Sequence, residues 1–353
     1  MQKVIAKINL KAIEYNAAAF KSLSKTKLCA VVKADAYGHG AEAVACALSA
    51  VADMFAVALL DEAKSIRVAA CGKPVLVLTP PADETQAAEL ILGGFIASVP
   101  DLKTARLVAE TAEKFGRRFK IHLKVNTGMN RYGMNASLLG KVCLFLKAHP
   151  EVEVEGLYSH LYTHSREESE RQRLLFLRMK GVCERYYPSV LCHLSATYGA
   201  LLGEAFSFDM VRVGLGLYGY LPEGIDPALR ERISLRPAMA VYAQAVQSRK
   251  YSFGGVGYGV LCEEAKTHLS YLTVWRVGYA DGFGWKKDNG MNGGEKNLSN
   301  LCMDVCVRKG RRVRGSFTPV MTDAAETAEK SGTICYEILC AATRRAEFVY
   351  EYR

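Results

Sequence analysis

Leu28-Cys29-Ala30-Val31-Val32-Lys33 is an apolar run that ends on a lysine. A run of this length, apolar on both alternations, suits a strand buried on both faces, as in a parallel sheet. Gly38 and Gly40 punctuate its end, and residues 41–52 read as a helix of small side chains. The same rhythm then recurs. Residues 54–58 are strand-like and 61–70 helical; 74–78 are strand-like and stopped by Pro80-Pro81. Residues 94–99 precede a helix from Asp101, 119–125 precede a glycine-rich turn, and 152–158 precede a charged helix around 166–180. Residues 190–193 and 210–213 close the series. Strand then helix, about eight times over some 230 residues, predicts a (β/α)8 TIM-type barrel. A doubly wound open sheet is disfavoured because no G-x-G-x-x-G follows the first strand.

From about Ile233 the rhythm changes. Residues 239–246, 271–277 and 301–307 alternate or run apolar with no helix after them, and glycine-rich turns such as Asp288-Asn289-Gly290 and Asn292-Gly293-Gly294 lie between. The expected organisation is a barrel over 1–232 followed by a mostly β domain over 233–353. Residues 1–9 lack the pattern of a signal peptide and read as the first strand of the fold. A chain of 353 residues, half of them hydrophobic and 23% charged, has ample material for a soluble enzyme core. It has no long uncharged apolar run that would span a membrane. The net charge is +10, but the basic residues are scattered among acids, so nucleic-acid binding is not expected. An enzyme with an anionic cofactor accounts for the charge better. The 11 cysteines include no C-x-x-C pair, which excludes common zinc and thioredoxin patterns and favours free thiols in a reducing cytoplasm. His160 and His164 are four apart, but Leu161 stands where H-E-x-x-H needs its glutamate, so no metal site is expected.

Chemistry belongs at the C-terminal ends of barrel strands. Lys33 ends an apolar strand, where desolvation would lower its pKa and free the amine as nucleophile and base, as a Schiff-base lysine requires. The alternative is a lysine that merely snorkels outward. Tyr37, four residues on, offers a hydroxyl to a phosphate.

The stretch Ala30-Val31-Val32-Lys33-Ala34-Asp35-Ala36-Tyr37-Gly38-His39-Gly40 resembles the cofactor-lysine motif of the alanine racemases, two-domain fold-type III enzymes that use pyridoxal 5'-phosphate. The resemblance continues in order along nearly the whole chain. It implies a homodimer in which each site is completed by the partner's C-terminal domain. It also implies a small amino-acid substrate and, by default, a cytoplasmic role in D-alanine supply for the cell wall. Lys33 matches the Schiff-base lysine and Tyr37 a residue near the phosphate. Residues 124–133, Lys-Val-Asn-Thr-Gly-Met-Asn-Arg-Tyr-Gly, resemble the block K-x-D-T-G-M-x-R-x-G, whose lysine is often carbamylated and orients the arginine. Lys124 and Arg131 fall there, and an arginine fork suits the substrate carboxylate. His160 and His193 match ring-proximal histidines, and Thr197 stands at the phosphate-binding serine. Residues 211–219 match R-x-G-x-x-L-Y-G. Arg212 would then face the pyridine nitrogen, while the backbone of Gly214 and Leu215 would meet phosphate.

An always-charged arginine at that nitrogen leaves it unprotonated and makes the ring a shallower electron sink, disfavouring transamination. Racemisation needs a base on each face of the planar carbanion. The resemblance gives these roles to Lys33 and to Tyr258 in Gly257-Tyr258-Gly259. Met303 in Cys302-Met303-Asp304 corresponds to a residue whose backbone helps bind the substrate carboxylate. Tyr336 in Thr333-Ile334-Cys335-Tyr336-Glu337 corresponds to one that lies by the phosphate and narrows the entrance.

The chain departs from the pattern at Ala196 (usually asparagine), at Asn126 (aspartate), at Ser299-Asn300 (a Gly-Arg pair) and near Trp285. Those changes leave open a relative acting on serine or a basic amino acid. A non-catalytic PLP-binding protein is the other alternative, although such single-barrel proteins have no need of a second domain carrying Tyr258.

Overall fold

The computed structural model describes residues 3–258, 271–288, 290–291 and 296–352. The expected turn at 292–294 lies outside them. The chain divides into two compact units, one of Met1–Ala12, Tyr37–Gly40 and Pro237–Arg353, the other of Ile13–Ala36 and Ala41–Arg236.

The second of these is the barrel. Its strands, after β1 (Val4–Asn9), are β2 (Lys27–Val31), β3 (Met54–Val57), β4 (Val75–Val77), β5 (Ile96–Val99), β6 (Phe119–Lys124), β7 (Val152–Tyr158), β8 (Leu191–His193) and β9 (Met210–Val213). They form one parallel sheet in the order β8-β7-β6-β5-β4-β3-β2-β9. Its two ends meet: the Asp209 N–H donates to Cys192 O at 3.0 Å and the Arg212 N–H to Ser195 O at 2.9 Å. β2 to β5 and β9 are buried along almost their whole length, as strands inside a ring of helices must be. The helices start where capping side chains sit. Asp101 accepts from the Thr104 N–H, Asn135 from Leu138, and Ser165 from Glu168. Gly94 and Gly116 end their helices in the left-handed conformation.

The other unit carries a six-stranded sheet. β10 (Met239–Lys250), β11 (Tyr271–Trp275), β12 (Cys306–Lys309), β13 (Phe317–Met321) and β14 (Glu347–Glu351) join β1 in the order β12-β11-β10-β1-β14, with β13 on β10. The first strand of the chain is therefore not a barrel strand. Its alternating burial, with Val4, Ala6 and Ile8 inward, suits a sheet with one covered face, whereas barrel strands need both faces apolar. The unit also holds helices at Ala324–Ser331 and Cys335–Ala341, which the strand-like reading of the C-terminal part passes over. Residues 301–305 form a loop, and the strand begins only at Cys306.

Candidate active site

The backbone that follows β2 is unusual. Ala34, Asp35, Ala36 and Tyr37 all have φ between 52° and 54°, four successive non-glycine residues in the left-handed region. Each costs about 1–2 kcal/mol, so the turn persists only because it is pinned. Glu62 pins one side: its carboxylate accepts the Ala34 N–H at 2.7 Å, Ala58 N–H at 2.7 Å and Leu59 N–H at 3.0 Å. Asp35 pins the other by accepting the Ala41 N–H at 2.7 Å, and the Ala36 N–H returns to Val32 O at 2.9 Å. The half-buried Lys33 opens this clamped turn.

At the C-terminal ends of β6 to β9 the charges converge. Arg212 is buried. Its Nη1 donates to His193 Nδ1 at 2.8 Å and to His193 O at 3.0 Å. Its Nη2 donates to Ser159 O at 2.6 Å and Leu194 O at 3.0 Å, with a longer contact of 3.3 Å to His160 Nδ1. These acceptors take up both terminal nitrogens, leaving the Nε–H of the guanidinium without an acceptor among the described residues. Burial holds His160 well below its ordinary pKa, and Arg212, Lys124, Arg131 and Lys33 add to the effect. His193 is held neutral in the same way, by burial and then by Arg212. Tyr158, which ends β7, stacks on His193 with ring centroids 5.0 Å apart and 4° between planes. Its hydroxyl meets Ser98 Oγ at 2.6 Å.

Lys124, the last residue of β6, is buried, with Nζ 4.5 Å from the Tyr158 ring centroid. Burial, then Arg212 and Arg131, hold its amine well below the usual lysine pKa. The loop beyond it is closed by a Val125–Met134 bridge. Asn126 Oδ1 accepts from the Gly128 N–H at 3.0 Å and the Asn130 N–H at 3.1 Å. The amide keeps the acceptor a carboxylate would offer, so this departure from the family pattern preserves the turn. Gly133 has φ of 117°, and a Cβ there would lie 2.6 Å from the Val125 carbonyl carbon. Arg131 is exposed on this loop. Thr197 is buried and its hydroxyl accepts the Gly216 N–H at 3.2 Å; Gly214 and Leu215 open the neighbouring 3-10 turn. Ala196 is the N-cap of Thr197–Leu201 and supplies no side-chain cap.

Lys33, Lys124, Arg131, His160, His193, Thr197, Arg212, Gly214 and Leu215 thus all belong to the barrel unit. Tyr37 and Tyr336 meet in the other unit, with ring centroids 6.0 Å apart. Burial raises the Tyr37 phenol well above its ordinary value, with Tyr336 and Cys340 contributing.

Tyr258 is also in that unit. It is 69% exposed and, with Tyr279 and Trp285, lines an open hollow of about 530 Å³. Asn300 pairs with it in an antiparallel bridge, so one of the departures from the family pattern lies against this tyrosine. Met303 is 54% exposed, and its carbonyl accepts the Ala280 N–H at 3.0 Å. Asp281, almost fully buried, holds that loop. It accepts from Arg276 Nη1 at 2.9 Å, the Gly278 N–H at 2.8 Å and Arg345 Nε at 2.8 Å, while Arg345 Nη1 reaches Asp304 at 2.7 Å. Sequence reading passes over the roles of Asp281, Arg345, Glu62 and Tyr158. Two of them carried a signal: Asp281 stands in Gly-Tyr-Ala-Asp-Gly, and Tyr158 directly precedes Ser159-His160.

The clamped lysine turn and the buried cations stand at the C-terminal ends of the strands of an eight-stranded α/β barrel, where enzymes of this fold carry their active sites. The comparisons narrow this class. Residues 8–222 match the model of the alanine racemase N-terminal domain and residues 238–350 that of the C-terminal domain. The chain belongs to the alanine racemase family, and with it to the amino-acid racemases. It is 32% identical to the alanine racemase of Prochlorococcus marinus over 96% of this chain and 94% of that one. It is also 32% identical to that of Carboxydothermus hydrogenoformans over 99% and 100%. Among solved structures, the alanine racemase of Clostridium difficile 630 superposes with a TM-score of 0.89 at 26% identity, covering 99% of this chain and 96% of that one. That of Bartonella henselae, solved with covalently bound pyridoxal phosphate, gives 0.82 at 25% identity over 99% and 100%.

Proposed function

We propose that this racemase interconverts L- and D-alanine by two-base proton exchange between Lys33 and Tyr258 of the partner subunit, with pyridoxal phosphate as cofactor. The observation that carries the reading is the match to both alanine racemase domain models, with Lys124 and Arg212 buried at the ends of β6 and β9. Such a site calls for dianionic and carboxylate ligands. The residues fit pyridoxal phosphate: the free Nε–H of Arg212 suits a pyridine nitrogen that stays unprotonated. The Thr197 hydroxyl and the backbone at Gly214 and Leu215 suit a phosphate, and the family resemblance gives the phenols of Tyr37 and Tyr336 to the same ligand.

Bound pyridoxal phosphate supplies the aldehyde that captures the amino group and the conjugated ring that takes up the electron pair when Cα loses its proton. The chain's own residues do the rest. Arg131 binds the substrate carboxylate, with the Met303 backbone of a partner subunit beside it. The Lys33 amine accepts the proton from one face of Cα, and the Tyr258 phenol delivers one to the other face. Reversal of the two roles gives the opposite enantiomer. His160 and His193, held neutral, add no charge beside the ring.

Lys124 is the site of a carbamate in this reading. Its neutral amine attacks CO2, a C–N bond forms as one C–O π bond opens, and a proton leaves to solvent. The resulting anion lies between Arg212 and Arg131 and orients the latter. The proposal includes the division at 232/233, the homodimer, and a cytoplasmic role in supplying D-alanine to the cell wall.

Chiral chromatography after incubation with L-alanine, L-serine and L-lysine tests the reading. D-alanine is the expected main product, and Lys33→Ala lowers its rate roughly 10³-fold or more. Asn300 beside Tyr258 is the observation that favours the second reading, serine. Faster turnover of L-serine than of L-alanine establishes that reading. No turnover of any of the three, with cofactor bound, overturns both.

A further inference from the structure

Behind Arg212 runs a line of polar groups that the proposed reaction does not use. His193 Nδ1 accepts from Arg212 Nη1 at 2.8 Å, and His193 Nε2 lies 2.9 Å from His122 Nδ1. His122 Nε2 faces Glu155 Oε2 at 3.5 Å. His122 Nε2 and Glu155 Oε2 are both buried and neither makes a hydrogen bond, so the 3.5 Å between them is an ion-pair separation. The ring of His122 is completely buried, whereas the Glu155 side chain is 24% exposed and its other oxygen meets Lys120 at 3.0 Å.

Room for the line is built in. His122 stands opposite Gly156 across β6 and β7, where the register shifts by a bulge, and a Cβ at Gly156 would lie 2.6 Å from His122 Nδ1. Tyr158 stacked on His193 fixes the plane of the second ring.

A guanidinium has only donors, so His193 Nδ1 must carry a lone pair and its proton must sit on Nε2. That proton needs an acceptor, so His122 Nδ1 must also be bare and its proton must sit on Nε2, which faces the Glu155 carboxylate across 3.5 Å. Each imidazole transmits the choice because a neutral ring has one donor and one acceptor. Were the line reversed, His193 would turn an N–H on Arg212, placing two donors 2.8 Å apart. Burial keeps His122 neutral despite Glu155, and His122 with Lys120 holds the Glu155 carboxyl down at about 2. The line therefore has an anion at one end and a cation at the other.

We infer that Glu155 and His122 are positioning residues which, through two imidazoles, reinforce the His193 tautomer that the donor-only Arg212 requires and so hold Arg212 in the barrel mouth. The tautomer claim stands on geometry alone; its effect on turnover rests on the function proposed above.

The full chain as purified, labelled with ¹⁵N-histidine, provides the test, with seven histidines to assign by single substitution. The expected spectrum has Nε2 protonated and Nδ1 bare for both His193 and His122. Glu155→Leu is expected to move His193 toward the Nδ1–H form, while Lys120→Met leaves it in place. After loading with pyridoxal phosphate, Glu155→Leu is expected to lower kcat for alanine about tenfold with KM held within about twofold. A wild-type His193 protonated on Nδ1 overturns the inference. So does an unmoved His193 in Glu155→Leu, an equal shift in Lys120→Met, or a shifted tautomer with unchanged kcat. A wild-type chain that fails to racemise alanine defeats the functional reading but not the tautomer result, which needs neither cofactor nor substrate.

Discussion

The mouth of the barrel and the surface around Tyr258 represent opposite ways of holding a functional group. At the mouth, Arg212 is buried and its terminal nitrogens are saturated by acceptors at the ends of neighbouring strands. Around Tyr258, the candidate side chains Tyr258, Tyr279 and Met303 are exposed, and Asp281 with its two arginines fixes the backbone at Tyr279 and Met303. A group that works on a ligand within its own unit benefits from being locked, since a fixed dipole needs no reorganisation. A cluster of exposed aromatics supported by a rigid loop suits a surface presented to something outside the chain.

The largest expected effect tests that contrast directly. Tyr258→Phe alone is expected to lower racemisation roughly 10²–10³-fold while leaving cofactor binding intact. Co-expression with Lys33→Ala then forms mixed dimers in which one site regains both groups. Statistical assembly predicts recovery to about a quarter of the wild-type rate. Steady-state assays on the two single variants and the mixture check this, and a mixture no better than its components means that Tyr258 does not serve a partner's site.

A smaller effect concerns the support. Asp281→Asn leaves Arg276 and Arg345 without their buried carboxylate. The expected cost is roughly 2–3 kcal/mol, discounted because Arg345 is about one-third exposed. Thermal unfolding should fall by several degrees, and KM for alanine should rise more than kcat falls, because the loop of Met303 loosens. An unchanged melting temperature would show that the network is not what holds the loop.

The third expectation is a pH effect on the locked mouth. His122, His160 and His193 have folded-state pKa values below the unfolded value. Below an unfolded histidine pKa of about 6.5 the unfolded chain binds more protons, so stability falls as pH drops through that value, by up to about 1.4 kcal/mol per histidine per pH unit. Glu155, held down at about 2, adds a loss in the same direction below the unfolded carboxyl value, as pH falls towards about 2. Urea unfolding between pH 7 and pH 5 measures the histidine part. A flat profile there contradicts the neutral buried rings.

Much of the barrel was legible because its signal is local. Apolar runs bounded by glycine and proline mark β2 to β9 within a residue or two, and the motif residues at strand ends follow from that placement. β1 was legible as a strand but not as a partner of β10 and β14, since pairing between residues such as Ile5 and Tyr242 leaves no trace in either segment alone. The helices at 324–331 and 335–341 were overlooked because they span only 8 and 7 residues, too short for a helical period to stand out. His122 passed as an ordinary strand residue. Its chemistry depends on Gly156, His193 and Glu155, which lie 34, 71 and 33 positions away in the chain.

By itself the sequence determined the periodicity that makes a barrel, the residue types at its strand ends and the family they resemble. Those properties arise from neighbours in the chain, where apolar alternation and turn chemistry act. Only the tertiary structure decided which donor meets which acceptor: that four left-handed residues are pinned by Glu62 and Asp35, that Arg212 is held by the ends of β7 and β8, and that Tyr258 is exposed. A hydrogen bond is set by distances of about 3 Å between groups far apart in sequence, and those distances exist only once the chain has folded.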